Sequence, residues 1–148
     1  MPITISQIKS IDDLELLRGK SSFNYTFDEP TLSLLEKNFS LKDSLYLMAK
    51  QGEEFAGFCS MDKDWWEEKH FFIREILVDD KFKDLGIGEK LIRMCIEFAQ
   101  NKEAIGVVTE TDFKNHPMQN LCEKLKFKKW DNPQYKKGIT YKLTLQST

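Results

Sequence analysis

The hydrophobic pattern changes period several times along the chain, and each change marks an element. Ile3, Ile5 and Ile8 open with a strand-like spacing. From Ile11 the spacing becomes helical, with Leu14, Leu17 and Arg18 following Asp12 and Asp13, residue types that start helices. Pro30 opens a second helix carrying Leu32, Leu35 and Phe39. Leu45 to Lys50 and Phe55 to Met61 read as two strands joined by the turn Gln51-Gly52-Glu53-Glu54, a hairpin. Asp62 to Lys69 is a polar connection with two tryptophans, and Phe71 to Val78 is a strand rich in Phe, Ile and Val. Gly88 to Gln100 is helical, with Leu91, Met94, Cys95 and Phe98 on one stripe. Val107 to Thr111 is a strand, and Pro117 to Leu125 a helix with Met118, Leu121, Cys122 and Leu125 as its apolar positions. Phe127 to Trp130 and Ile139 to Leu145 are the last two strands, joined by a loop containing Asn132-Pro133 and Gly138.

The order β-α-α-β-β-β-α-β-α-β-β predicts a mixed sheet flanked by helices, of the α/β or α+β class. No repeat, low-complexity tract or Gly/Ser-rich linker interrupts it, so residues 1–148 read as one domain. Composition agrees: 41% hydrophobic and 31% charged residues suit a globular chain, and 148 residues suffice for one core without metal or disulfide staples. A formal net charge of −2 gives no general drive towards nucleic acid or an anionic membrane. The first residues lack the basic region and long apolar run of a signal peptide, and no stretch approaches the roughly 18 apolar residues needed to span a bilayer. Cys59, Cys95 and Cys122 are odd in number and contain no C-x-x-C pair. They are expected to be reduced and mostly buried, with no zinc site, which suits the cytoplasm. His70 and His116 are too isolated to imply a metal or a Ser-His-Asp triad.

The chemistry concentrates in Val78-Asp79-Asp80-Lys81-Phe82-Lys83-Asp84-Leu85-Gly86-Ile87-Gly88-Glu89, where a strand ends and a helix begins at or near Gly86. Glycines at 86 and 88 let the backbone approach a ligand closely. The first amides of a helix have no internal partner, and with the helix dipole they form an anion site. Lys83 adds positive charge beside it, so a pyrophosphate is the natural ligand. The plainer alternative is a turn that needs glycine for geometry alone. The stretch is not a P-loop, and Leu91 stands where a dinucleotide fingerprint would have its third glycine.

The segment resembles the GNAT superfamily of N-acetyltransferases. Their signature Gln/Arg-x-x-Gly-x-Gly/Ala follows a strand ending Leu-x-Val-x-Pro. Here Lys83 replaces Gln or Arg, and Asp80 replaces the proline. The resemblance continues in Asn115 to Phe127, where Asn115, Leu121 and Phe127 match a second family motif. Met118, Cys122 and Lys126 stand where Ala, Tyr and Gly are usual. The family implies a mostly antiparallel sheet of about seven strands with about four helices. It also implies acetyl-CoA as co-substrate, an amine as acceptor and, since many members pair, a homodimer.

By resemblance, the backbone of Ile76, Leu77 and Val78 pairs with the pantetheine arm like an added strand. Lys83, Asp84, Leu85, Gly86, Ile87, Gly88 and Glu89 cradle the pyrophosphate, and Asn115 contacts the cofactor near the thioester. An alkyl amine has a pKa of about 10, so attack requires a proton acceptor. In the ribosomal-protein N-terminal acetyltransferases of this superfamily, a glutamate holds the position of Glu110 relative to the Asn. Glu110 is the expected base, with Glu75 its competitor. Cys122 occupies the place of the usual acid Tyr. It is either a proton donor, through water, or a buried core residue, with Tyr135 and Tyr141 as alternative acids. Phe23, Tyr25, Phe27, Asp28 and Glu29, with Trp65 and Trp66, are candidates for holding a cationic acceptor such as a polyamine, an aminoglycoside or a basic peptide N-terminus. The missing Tyr keeps a second reading open, a non-catalytic acyl-CoA-binding module on the same fold.

Overall fold

The computed structural model describes residues 2–17 and 28–145. Its seven-stranded sheet has the order β1-β2-β3-β4-β5-β7-β6. The strands are β1 (Ile3–Gln7), β2 (Leu45–Gln51), β3 (Glu54–Asp62), β4 (His70–Val78), β5 (Gly106–Asp112), β6 (Lys128–Trp130) and β7 (Gly138–Thr144). Three helices accompany them: α1 (Glu29–Phe39), α2 (Ile87–Asn101) and α3 (His116–Lys124). Every neighbouring pair of strands is antiparallel except β4 and β5. Those two are joined through α2, because a parallel return needs a crossover rather than a tight turn.

The helix expected from Ile11 is instead a 3-10 helix over Ile11–Leu17, leaving three α-helices among the described residues where about four were expected. Its three-residue turn stacks Leu14 over Leu17, and both are buried. The α2 stripe also lies slightly off its expected centre. Ile87, Leu91, Cys95 and Ala99 form an i, i+4 row that is buried with Ile92, whereas Met94 is exposed. Asp28 caps α1, its carboxylate accepting from the Thr31 amide at 2.8 Å.

Two cores sandwich the sheet. On one face α2 and α3 pack on Leu47, Cys59, Phe71, Ile73, Val107 and Tyr141; on the other, the 3-10 helix and α1 pack on Tyr46, Met48, Phe58 and Leu77. Burying a residue such as Leu91 stabilises by about 1.5–3 kcal/mol. All three cysteines are free and buried.

Strands β4 and β5 stay together only from His70↔Gly106 to Ile73↔Thr109. At that point β4 carries one extra residue, Arg74, because Ser60 pairs with Glu75 while Met61 pairs with Ile73. A bulge bends its strand and ends local pairing. Beyond it β4 stays on β3 and β5 stays on β7, so the two parallel strands diverge.

Candidate active site

The wedge between β4 and β5 opens into a cleft of about 960 Å³ that runs to the start of α2. Its apex is tied by Thr109, whose buried hydroxyl donates to the Ile73 carbonyl at 3.1 Å. Along β4 the amides of Glu75 and Asp79 point to β3, to Ser60 Oγ at 3.2 Å and the Ala56 carbonyl at 2.9 Å. Amides alternate sides along a strand, so those of Ile76 and Val78 face the wedge. A ligand lying there meets main chain that β5 does not satisfy.

The far end of the cleft is built almost entirely from local backbone. Asp79 turns the chain by accepting from the Lys81 amide at 2.9 Å, and buried Phe82 pins the turn to the core. Asp84 and Gly86 then adopt left-handed conformations, with φ of 65° and 75°. A Cβ on Gly86 would meet nothing within 4 Å, so glycine is required there by backbone angle and not by crowding. Gly86 is the N-cap of α2, and its carbonyl accepts the first helical bond, from Lys90 at 3.1 Å. The next amides, at Ile87, Gly88 and Glu89, have no partner within the helix.

Lys83, Asp84, Gly86, Ile87, Gly88 and Glu89 all line the cleft. Leu85 does not, and its side chain is exposed. The Ile87 side chain is core and only its backbone serves the cleft. Glu89 is held by Lys124 of α3 at 2.7 Å and Arg93 at 2.9 Å, so the first turn of α2 is tied across to α3.

The opposite end is made of side chains from distant segments. Val107 belongs to the α2-facing core, so alternation sends Glu110 to the other face of the sheet; on β4 the bulge at Arg74 interrupts the alternation from Ile73 and puts Glu75 on that same other face, with Leu77. Both glutamates line the cleft from its two walls, so the sheet pattern does not choose between them. Burial pushes the Glu110 carboxyl above the usual glutamate range, with Arg74 pulling the other way. Glu110 accepts from Asn132 Nδ2 at 3.2 Å. Tyr135 lines the cleft beside it, its phenol pushed up by burial and by the negative charges of Glu110 and Asp112. Arg74 is locked by Asp62 through two 2.9 Å bonds, and Asp62 is fully buried.

Asn115 caps α3, its Oδ1 accepting from the Met118 amide at 3.2 Å, and it sits on the cleft wall. Cys122 does not reach the cleft. It is fully buried in the α2–α3 core, and burial pushes its thiol up to about 12. Tyr141 is buried too, donating to Glu123 at 3.1 Å outside the cleft. Trp65 and Trp66 stack with Phe72 and Trp130 instead of lining the cleft. Asp28 and Glu29 are used at the start of α1, and Phe23, Tyr25 and Phe27 lie outside the described residues.

Arg74, Thr109, Asn132 and Lys124 escaped the sequence reading. None stands at a fixed position of a motif; each matters through a neighbour distant in sequence. Among the described residues no group of His, Cys, Asp and Glu is placed to hold a metal, and no helix is long and apolar enough to cross a membrane.

Residues 12–127 match the model of the acetyltransferase (GNAT) family. A Bacillus subtilis protein provisionally named a ribosomal protein bS18-alanine N-acetyltransferase is 28% identical over 79 residues, 53% of this chain. That match spans about half of the relative, 50% of its length. The ribosomal-protein-S18-alanine N-acetyltransferase of Escherichia coli superposes with a TM-score of 0.78 at 18% identity, covering 97% of this chain and 94% of that one. A Bacillus anthracis protein provisionally named a streptothricin acetyltransferase, solved with acetyl coenzyme A, gives 0.75 at 16% identity over 99% of both chains. At such identities the superpositions establish the fold.

Proposed function

The chain belongs to the acetyltransferase (GNAT) family, and on that premise we propose that it transfers an acetyl group from acetyl-CoA to a primary amine. One observation carries the reading: the β4–β5 wedge and the amide-rich start of α2 form one continuous cleft with a half-buried glutamate at its other end. The pyrophosphate lies on the amides after Gly86, with Lys83 beside it. The pantetheine lies along Ile76 to Val78 as an added strand. Asn115, whose Oδ1 is committed to the helix cap, offers its Nδ2 to the cofactor.

The thioester then sits near the Arg74 bulge. The amine attacks its carbonyl carbon, the C–N bond forms, and the amine proton passes to Glu110, directly or through one water. The C–S bond breaks and the coenzyme leaves as a thiolate. Tyr135 is the phenol that the cleft offers to return a proton; Cys122 is buried and Tyr141 is engaged with Glu123.

The acceptor that best suits a carboxylate base is a peptide α-amine. Its pKa of about 7.7–8.0 demands far less of the base than a lysine-like amine at about 10.4. The names of the Bacillus subtilis and Escherichia coli proteins point the same way.

Calorimetric titration with acetyl-CoA, followed by turnover on a peptide with a free N-terminal alanine, a polyamine and an aminoglycoside, tests the reading. Micromolar binding with transfer to one of these supports it. Binding without transfer to any amine favours the non-catalytic module, and no binding by folded protein removes both.

A further inference from the structure

The carboxylate proposed as base is hydrogen-bonded by a side chain from a separate connection. The connection between β6 and β7 is folded down against β5 beside it. Gly138 permits this approach: a Cβ there would lie 2.1 Å from the Thr111 carbonyl oxygen and 2.6 Å from the Tyr135 hydroxyl. At the start of the same connection lies Asn132, 4% exposed. Its Oδ1 accepts from the Gln134 amide at 2.9 Å. Its Nδ2 donates to Glu110 Oε2 at 3.2 Å and to Thr140 Oγ1 at 3.1 Å. The backbone amide fixes which end of the side chain is oxygen, because a flipped amide would set oxygen against carboxylate and NH₂ against N–H.

We propose that Asn132 is a positioning residue for Glu110, a clamp that fixes the carboxylate's orientation and favours its anionic, proton-accepting form. This rests on the reading of Glu110 as base. A donor to the charged form of a carboxylate lowers its pKa, opposing the desolvation that raises it. The charged and titratable groups around Glu110 are Arg74 and Glu75 on β4, Tyr135 on the clamping connection and Asp112 on β5. Lys142 on β7 is engaged by Glu67. Asn132 is uncharged and bonds Glu110, Thr140 and the Gln134 amide, so replacing it changes the contact with the carboxylate without removing a charge from the ion pairs of its neighbours.

The test is a ¹³C NMR titration of the Glu110 carboxyl, assigned with Glu110→Gln, in the native protein, Asn132→Leu and Asn132→Asp. Asn132→Asp keeps the oxygen that receives Gln134 and exchanges only the donor, so it serves if the leucine variant does not fold. The Glu110 midpoint is expected to rise by about one unit or more in the variants, and more for Asp than for Leu, because a second carboxylate faces it. The acid limb of turnover is expected to move to higher pH with it, while acetyl-CoA binding measured by calorimetry stays within about threefold. An unmoved midpoint in folded variants overturns the clamp. Full turnover by Glu110→Gln overturns the base reading instead, and does so whether or not the midpoint moves.

Discussion

The two ends of the cleft are built in opposite ways. At the α2 end the groups lining the cleft belong to one short run, Lys83 to Glu89 without Leu85, shaped by the φ values of Asp84 and Gly86. At the wedge end they are side chains from β4, β5 and the β6–β7 connection, held by a buried Asp62–Arg74 pair and by the Asn132 clamp. Backbone amides tolerate substitution of most of the residues that carry them. Converging side chains tolerate almost none.

Substitutions divide along the same line. Glu110→Gln tests the wedge end most severely: turnover is expected to fall by roughly 10²–10⁴ with little change in acetyl-CoA affinity by calorimetry. The same variant carries a stability signature. Burial raises the folded-state pKa of Glu110, so its charged form costs stability. That cost is absent below the ordinary glutamate pKa and fully present above the raised one. Glu110→Gln is therefore expected to melt higher than the native protein at neutral pH and to lose that advantage as the pH falls through this window. A lower melting temperature at neutral pH would mean that the clamp bond outweighs desolvation.

Arg74→Met comes next. It leaves the buried Asp62 without its cationic partner, held only by Asn38 and the Asp64 amide among the described residues, and is expected to cost about 3–5 kcal/mol in denaturant unfolding. A small loss would show that the wedge end does not depend on that pair. Gly86→Ala bears on the α2 end. It forces a Cβ into a left-handed conformation and is expected to cost about 1 kcal/mol, whereas Gly86→Glu should also weaken acetyl-CoA binding by tenfold or more through charge. Equal binding losses for Ala and Glu would trace the effect to backbone geometry alone. Cys122→Ala should do least, with turnover within about threefold of native, because the thiol is walled off in the core. A large loss in a folded variant would restore it as a proton donor.

The sequence by itself determined the strand and helix order nearly throughout, because alternation and helical spacing are local consequences of burying one face. The candidate anion cradle at Gly86 to Glu89 was legible too, since consecutive free amides need only a turn, a glycine and a helix start, and those residues line the cleft. Family resemblance singled out Glu110 and Asn115, and both line the cleft. Tertiary structure alone decided the rest. The bulge at Arg74, the point at which β5 parts from β4, the exclusion of Cys122 from the cleft and the seating of Asn132 on Glu110 all depend on register between strands far apart in the chain. The same holds for Leu14 and Leu17, whose spacing fits an α-helix and a 3-10 helix alike until packing selects the shorter turn. Local pattern records which face a residue takes, and only the assembled sheet determines what it meets there.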